Sequence, residues 1–537
     1  MQQDEEETGM NSNTSTTTCS SGSSDDRGSS SPRKQKQLRR QPLAAREPAE
    51  YWRRVALLYA GSGAIILGNV LEWYDWTVYG YMEDVISDLF FGGKSTQAWL
   101  VFAVPFIARP FGSVVLGWVG DVLGRTVALN AAIWGMALST VLQGCLVPHM
   151  PGATAVLIAL RIISGISAGG EAAGVNTYMT EIGGKDREET IVAAVGVNNV
   201  SGSLAFFLSN AVALAVHRLP KEAQLSWAWR VPFLLAAPVG LLSVILRRRM
   251  AETEDFKEAQ RASSESVESS DEEQEERTPT VGSRNPSATV VGPPETEQSG
   301  EAAMEGGIAA KPHAQAQQRS TRWEDVRAIL LVLVVIAAIN SCNYLPLYLV
   351  KWLRNTCNFS ATSALGLAAL SKIVQLVMTL PVSFVGDRFG ATTSMLAGGG
   401  ASMILLLPAL LLVLGVVGAA DLGPGEAPPA GVVAMAFMVL GMVLPAAMSF
   451  SVLPCMLYVT SLFPAQVRGR GAGIGYGLAS LAGGFTPMVC SVLAQYQDWF
   501  PGLLVTVLTV PSLATIIWSR YAAGTGQLQI YQRPWLY

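Results

Sequence analysis

The sequence predicts an all-α membrane protein, with about twelve transmembrane helices in two pseudo-symmetric six-helix bundles. Three observations carry that expectation. Half of the 537 residues (50%) are hydrophobic and only 15% are charged; mean hydropathy is +0.33, too apolar for an ordinary soluble chain. The apolar residues recur in blocks of about 20, the length a helix needs to cross a bilayer. A short glycine–aspartate pattern occurs twice, at matched places in the two halves.

Residues 1–50 open with acids, continue through Ser/Thr runs and end in a basic patch (Arg33, Lys34, Lys36, Arg39, Arg40). No apolar stretch follows Met1, so no cleavable signal peptide is expected, only a disordered cytoplasmic tail. Spans are predicted near 57–82, 97–119, 126–147, 154–181, 190–216 and 229–247, forming a first bundle over 51–250. Residues 251–320 are rich in Glu, Ser, Gln and Pro, as in SSESVESSDEEQEER. Such a segment cannot bury enough apolar surface to fold, so it reads as an acidic cytoplasmic linker whose serines are candidate kinase sites. Spans near 325–350, 362–385, 392–417, 431–460, 470–494 and 500–520 make a second bundle over 321–522, and 523–537 forms a cytoplasmic C-terminal tail.

Charge sets the orientation. Arg53, Arg54, Arg247, Arg248, Arg249, Arg388, Arg468 and Arg520 flank the side that holds the termini and linker, whereas fewer bases, Lys94 and Lys351 among them, flank the other. The positive-inside rule then places both termini in the cytoplasm. With a net charge of −4 and no basic stripe, nucleic acid is not an expected partner. The six cysteines form no CxxC or Cys/His metal pattern. No nucleophile–base pair or phosphate loop stands out either, so neither enzyme chemistry nor a cofactor or metal is expected.

The functional reading turns on residues 68–81, GNVLEWYDWTVYGY. Glu72 and Asp75 lie near the middle of the first span, three residues apart and therefore on one helix face. An ionised carboxylate at the bilayer centre costs at least a few kcal/mol, so it is paired, protonated or facing a wet cavity. Glu171 in span 4 is a third intramembrane acid. The intramembrane bases are Arg109 in span 2, Arg161 in span 4 and Lys372 in span 8. All three histidines fall outside the spans, so carboxylates are the expected proton carriers. One acid is expected to pair with Arg109 as a structural group, leaving the other unpaired and titrating.

The repeat reads GWVGDVLGRT after span 2, with Gly117, Asp121, Gly124 and Arg125, and SFVGDRFGAT after span 8, with Asp387 and Arg388. With Arg468 at the start of span 11, these are the expected inner-gate residues. Aligning Asp121 with Asp387 sets Gln375 opposite Arg109 in pseudo-symmetry. Tyr344 in span 7 and Tyr476 in span 11 are candidate cavity walls. The predicted substrate-binding set is Arg109, Arg161, Lys372, Gln375, Tyr344 and Tyr476.

These loops resemble the inner-loop motif of the major facilitator superfamily, although Val122 and Ala391 stand where that motif carries bases. Four further stretches are similar to one branch, the metabolite:proton symporters. They are residues 68–80, FIARPFGSVVLGWVGDVLGR at 106–125, RIISGISAGGEAAG at 161–174 and SLFPAQVRGRGAGIGYGLASLAGGFTP at 461–487. The resemblance implies two six-helix bundles around a central cavity that opens alternately to each side. It also implies proton-coupled symport of a small organic anion or zwitterion, with protons, the solute and membrane lipid as partners. The plasma membrane is the expected location and an organellar membrane the alternative. The rival readings are sodium coupling, uniport or sugar transport on the same fold, and a non-transporting membrane sensor or scaffold, which the long linker alone favours.

The linker's lack of an apolar face carries a testable consequence. Deleting residues 260–315 should leave fold and transport intact, as read by detergent thermal stability and solute uptake; loss of folded protein would show that the segment packs.

Overall fold

In a computed structural model, residues 42–123, 125–184, 190–247, 322–419, 426–464 and 468–531 are described. The tail to residue 41, the linker and residues 532–537 lie outside them, so the domain expectations there are not addressed. All regular structure in the described residues is helical. Among the described residues, ten helices are long and apolar enough to cross a membrane, and a bent pair, counted as one span, makes eleven. One further long helix, Ala153–Gly184, is apolar over the shorter stretch Ala153–Gly169 and is numbered with the spans.

Numbered along the chain, span 1 comprises Pro48–Gly61 and Gly63–Tyr81, span 2 Ser95–Leu123, span 3 Arg125–Gly144, span 4 Ala153–Gly184, span 5 Ile191–His217 and span 6 Lys221–Ile245. Spans 7 to 12 are Arg322–Asn355, Ala361–Phe389, Ala391–Ala419, Ala430–Ser461, Arg468–Leu493 and Phe500–Gly524. The predicted spans agree with these to within several residues.

Three departures have local causes. Span 1 bends by 64° at Ser62, which stands between two glycines and whose hydroxyl donates to the Leu58 carbonyl at 2.7 Å, diverting an acceptor of the helix ladder. Helical structure begins at Leu43, ahead of the expected boundary at residue 51. Spans 6 and 10 each contain one π-helical turn, Gln224–Ala228 and Val439–Val443. Pro232 and Pro445 follow them, each lacking the N–H that the carbonyl four residues earlier would accept, and the wider turn accommodates that gap.

Glycine sets how closely the helices approach. A Cβ on Gly165 would collide with the Pro105 backbone, one on Gly169 with Arg109 O, and one on Gly112 with the Ile166 backbone. Spans 2 and 4 thus cross backbone to backbone, the small-residue mode of helix packing in membranes. Between the halves, span 2 packs on span 11 and span 5 on span 8. Gly477 faces Pro110, Gly484 faces Phe106, and Gly386 faces Val192.

The halves meet at both ends of this interface. On the face that holds Leu43 and Gly524, Asp387 accepts from the backbone N–H groups of Val192 (2.9 Å) and Ala193 (3.1 Å) and from Tyr51 Oη (3.0 Å). The carboxylate sits at the start of span 5, where the helix dipole favours negative charge. On the opposite face Arg354 bonds Asp84 at 3.0 Å and Lys351 approaches Glu83 at 3.3 Å. Ser95 bonds both Glu83 and Lys351. Burial pushes the Glu83 carboxyl above its ordinary range, with Lys351 opposing. Burial pushes Asp84 up as well, but His217 and Arg354 outweigh it and hold Asp84 well below the usual carboxylate range. The Asp84–Arg354 bridge therefore stays charged at any physiological pH.

The span 2–span 4 crossing gives a direct test. Gly165→Val should destabilise the fold by about 1–3 kcal/mol through overpacking, read as a lower thermal midpoint in detergent, whereas Gly61→Val, which meets nothing within 4 Å, should cost far less.

Candidate functional site

The first half buries two acid–arginine pairs. Arg109 Nη2 bonds Glu72 Oε1 at 2.8 Å, with both side chains 3% exposed or less. The Arg109 guanidinium also lies over the Phe106 ring, 5.1 Å from its centroid, and 6.0 Å from that of Trp76. Arg161 Nη1 approaches Asp75 Oδ2 at 3.3 Å and stacks over Tyr79 at 4.5 Å. Asp75 further accepts from Thr140 Oγ1 at 2.5 Å and from the Ser164 hydroxyl. The expectation that one acid would stand unpaired is corrected. Side chains three apart on a helix diverge enough that Glu72 reaches span 2 while Asp75 reaches spans 3 and 4. Each buried charge thereby gains the partner it needs.

A central cavity of about 30 Å³ lies between the halves, room for roughly two waters. Trp73, Asn198, Asn199, Gly202, Ser203 and Phe206 line it from the first half, and Asn340, Asn343, Lys372, Gln375, Cys455, Met456 and Tyr476 from the second. Lys372, 2% exposed, donates to Asn343 Oδ1 at 3.0 Å and Gln375 Oε1 at 2.9 Å. Its ammonium sits 3.9 Å from the centroid of Phe206 in the opposite half. The lysine thus faces the cavity rather than snorkelling to the interface, and no described carboxylate forms an ion pair with it. Asn199 Nδ2 crosses the halves to Thr379 Oγ1 at 2.7 Å, and Asn69 bonds Asn198 at 2.5 Å.

Of the residues expected to bind substrate, Lys372, Gln375 and Tyr476 share this cavity. Arg109, Arg161 and Tyr344 do not line it, and neither do Glu72 or Asp75. Tyr344 packs edge-on against Trp76 (4.6 Å) and Phe106 (5.3 Å) instead. The side chains of Glu171, Asp121 and Arg125, the surroundings of Gly117 and the whole of Gly124 lie outside the described residues. Arg468 is buried and reaches the Phe463 carbonyl at 3.4 Å, and Arg388 lies over the rings of Phe384 and Phe389. Sequence reasoning missed Phe206, which carries no polar atom. It also missed the Glu83–Lys351 contact, although Glu83 falls on the Asp75 and Tyr79 face at helical spacing.

The comparisons with known proteins agree with this architecture. The chain is similar to the ectoine/proline transporter of Corynebacterium glutamicum, 29% identical over 463 residues, covering 82% of this chain and 79% of that one. It is 26% identical over 467 residues to the alpha-ketoglutarate permease of Escherichia coli (strain K12), covering 83% and 91%. Its fold is similar to that of the major facilitator superfamily proton:xylose symporter XylE, with a TM-score of 0.62 at 15% identity over 87% of this chain and 95% of that one. The family model described as "Sugar (and other) transporter" matches residues 62–520. With so much of its length matched, the chain belongs to the sugar (and other) transporter family and is a multi-pass membrane transporter of the major facilitator fold, not an enzyme.

Proposed function

We propose that the protein is a proton-coupled symporter of a small zwitterion or organic anion, working by alternating access. The observation that carries this reading is Lys372, a buried ammonium facing a cavity whose other described lining residues are uncharged. A carboxylate is the natural partner for such a cation. Trp73, Phe206 and Tyr476 offer ring faces nearby, which suit an alkylated ammonium. One cation with aromatic walls favours a zwitterion over a dicarboxylate, in keeping with the ectoine and proline of the Corynebacterium glutamicum relative. The small cavity fits a closed resting state that must widen to load. Proton coupling rests on the buried carboxylates Glu72 and Asp75, with Glu171 as a third candidate. The distribution of basic flanks supports a cytoplasmic location for the face that holds Leu43 and Gly524, and the bacterial transporter relatives support the plasma membrane.

Substrate affinity tests the lysine. A charge-assisted contact is worth about 1.5–3 kcal/mol, or roughly one to two powers of ten in affinity. Lys372→Met should weaken solute binding by that order in calorimetry, and Lys372→Arg should restore it only in part, because the guanidinium is larger and differently hydrated. Wild-type affinity in Lys372→Met would assign the lysine to structure.

Coupling is tested at the acids. Glu72→Gln and Asp75→Asn each leave a buried arginine without its counter-charge, at a cost of about 3–5 kcal/mol, so uptake is normalised to folded protein. Accumulation driven by a pH gradient should fail in both, while counterflow exchange survives in at least one. Unchanged acid-driven accumulation in both would leave Glu171 as the carrier.

A further inference from the structure

One contact across the central cavity joins a charge of the second half to a ring of the first. The Lys372 ammonium carries three N–H donors. Two go to Asn343 Oδ1 and Gln375 Oε1, and the Phe206 ring of span 5 lies against the ammonium, its centroid 3.9 Å away. Phe206 is 1% exposed, and rings of its own half fix its position: Trp76 edge-on at 5.6 Å, Trp73 at 6.2 Å and Tyr81 at 6.4 Å. If the halves part as rigid bodies, the ring stays with span 5 and the lysine leaves with span 8. Opening then uncovers a ring face that attracts cations and an ammonium that attracts carboxylates, on opposite walls of one cavity. A second donor stands near the lysine. Asn340 lies three residues before Asn343 on span 7, on the same helix face, and lines the cavity. Its side chain is buried, and Nδ2 has no hydrogen-bond partner among the described residues. A buried amide donor left unpaired is destabilising, and an acceptor on a solute in the cavity is the partner it lacks.

We propose that Phe206 makes the site select zwitterions, by exchange: the solute's carboxylate draws Lys372 off the ring, with Asn340 as its second donor, and the solute's own cation takes the ring in its place. This rests on the small charged solute proposed above and deepens that reading. A solute with both charges leaves every partner satisfied when the halves close. An anion without a cation holds Lys372 but sets no charge against the Phe206 face, so closure loses the contact that the lysine made there. A cation without a carboxylate competes with Lys372 for one ring and meets it as a like charge. Selectivity therefore arises at a side chain with no polar atom, because its ring already holds a cation of the protein's own. Trp73 and Tyr476 line the same cavity, but Phe206 is the ring against which Lys372 lies, so the exchange takes place there.

The experiment compares matched solutes by calorimetry on the purified full-length protein. Glycine betaine is set against 3,3-dimethylbutyrate, which has the same shape and carboxylate but carbon in place of the ammonium nitrogen, and against choline, which keeps the ammonium and lacks the carboxylate. Proline and cyclopentanecarboxylate form a second zwitterion–isostere pair. Wild type should bind the zwitterion about tenfold more tightly than its isostere, and choline more weakly than glycine betaine. Phe206→Leu should lower the zwitterion-to-isostere affinity ratio by about tenfold, whereas Phe206→Tyr, which keeps a ring face, should preserve it. Asn340→Ala should weaken zwitterion and isostere by the same factor, about tenfold, because both carry the carboxylate. A merely structural Phe206 would lower both solutes equally and leave the ratio in place, and that result would overturn the proposal. So would a wild type that binds the isostere as tightly as the zwitterion, a comparison that needs no variant to fold. Wild-type affinities in folded Asn340→Ala would overturn its assignment as second donor. If wild type binds no member of either pair, the proposed solute class fails first, and that outcome is distinct from a loss of selectivity.

Discussion

Burial of charge in a medium that cannot solvate it is the constraint on which this structure depends. Glu72, Asp75, Arg109 and Arg161 are each at most 3% exposed, and each would cost several kcal/mol alone at that depth. Pairing them fixes how spans 1, 2 and 4 are rotated about their axes. The glycines at 112, 165 and 169 let spans 2 and 4 touch backbone to backbone, which brings Arg109 and Arg161 within reach of the acids on span 1. Charge pairing and small-residue packing are therefore one arrangement: neither guanidinium would meet its carboxylate if the helices stood further apart.

The second half solves the same problem without an acid in the middle of the membrane. Lys372 is held by two side-chain amides and the face of a ring, neutral partners that satisfy the ammonium geometrically but leave its charge available. Among the described residues, Glu72, Asp75, Arg109 and Arg161 of the first half pair with one another, whereas Lys372 of the second presents its charge to the cavity. A solute carboxylate that takes up Lys372 while its remaining surface rests on Trp73 and Phe206 would touch both halves at once. Contacts of that kind exist only when the halves are closed around the solute, so binding itself favours the occluded conformation.

Both faces of the interface are sealed, by different physics. Asp387 caps the start of span 5 through backbone N–H groups, a bond set by direction as much as by charge. The opposite face is closed by side-chain ion pairs, Asp84 with Arg354 and Glu83 with Lys351, partly exposed to water and therefore weaker and more sensitive to salt. The apolar packing of Tyr51 and Trp52 against Phe384 adds to the first seal alone.

The sequence by itself determined the number, length and order of the spans, because a bilayer demands about 20 apolar residues per crossing and nothing in tertiary packing relaxes that demand. It also determined which residues are costly, since any acid or base inside such a run must be satisfied. The sharing of a face by Glu72 and Asp75 was legible from their spacing, and the cavity-facing position of Lys372 from its depth in span 8. Tertiary structure alone decided the partners. Glu72 and Arg109 are 37 positions apart and Asp75 and Arg161 are 86 apart, and which acid meets which arginine depends on the crossing of spans 2 and 4. Phe206 beneath Lys372, Tyr51 on Asp387 and the seal at Glu83 were likewise invisible, because each joins residues from opposite halves, and helical periodicity says which face a residue occupies but not what that face will meet.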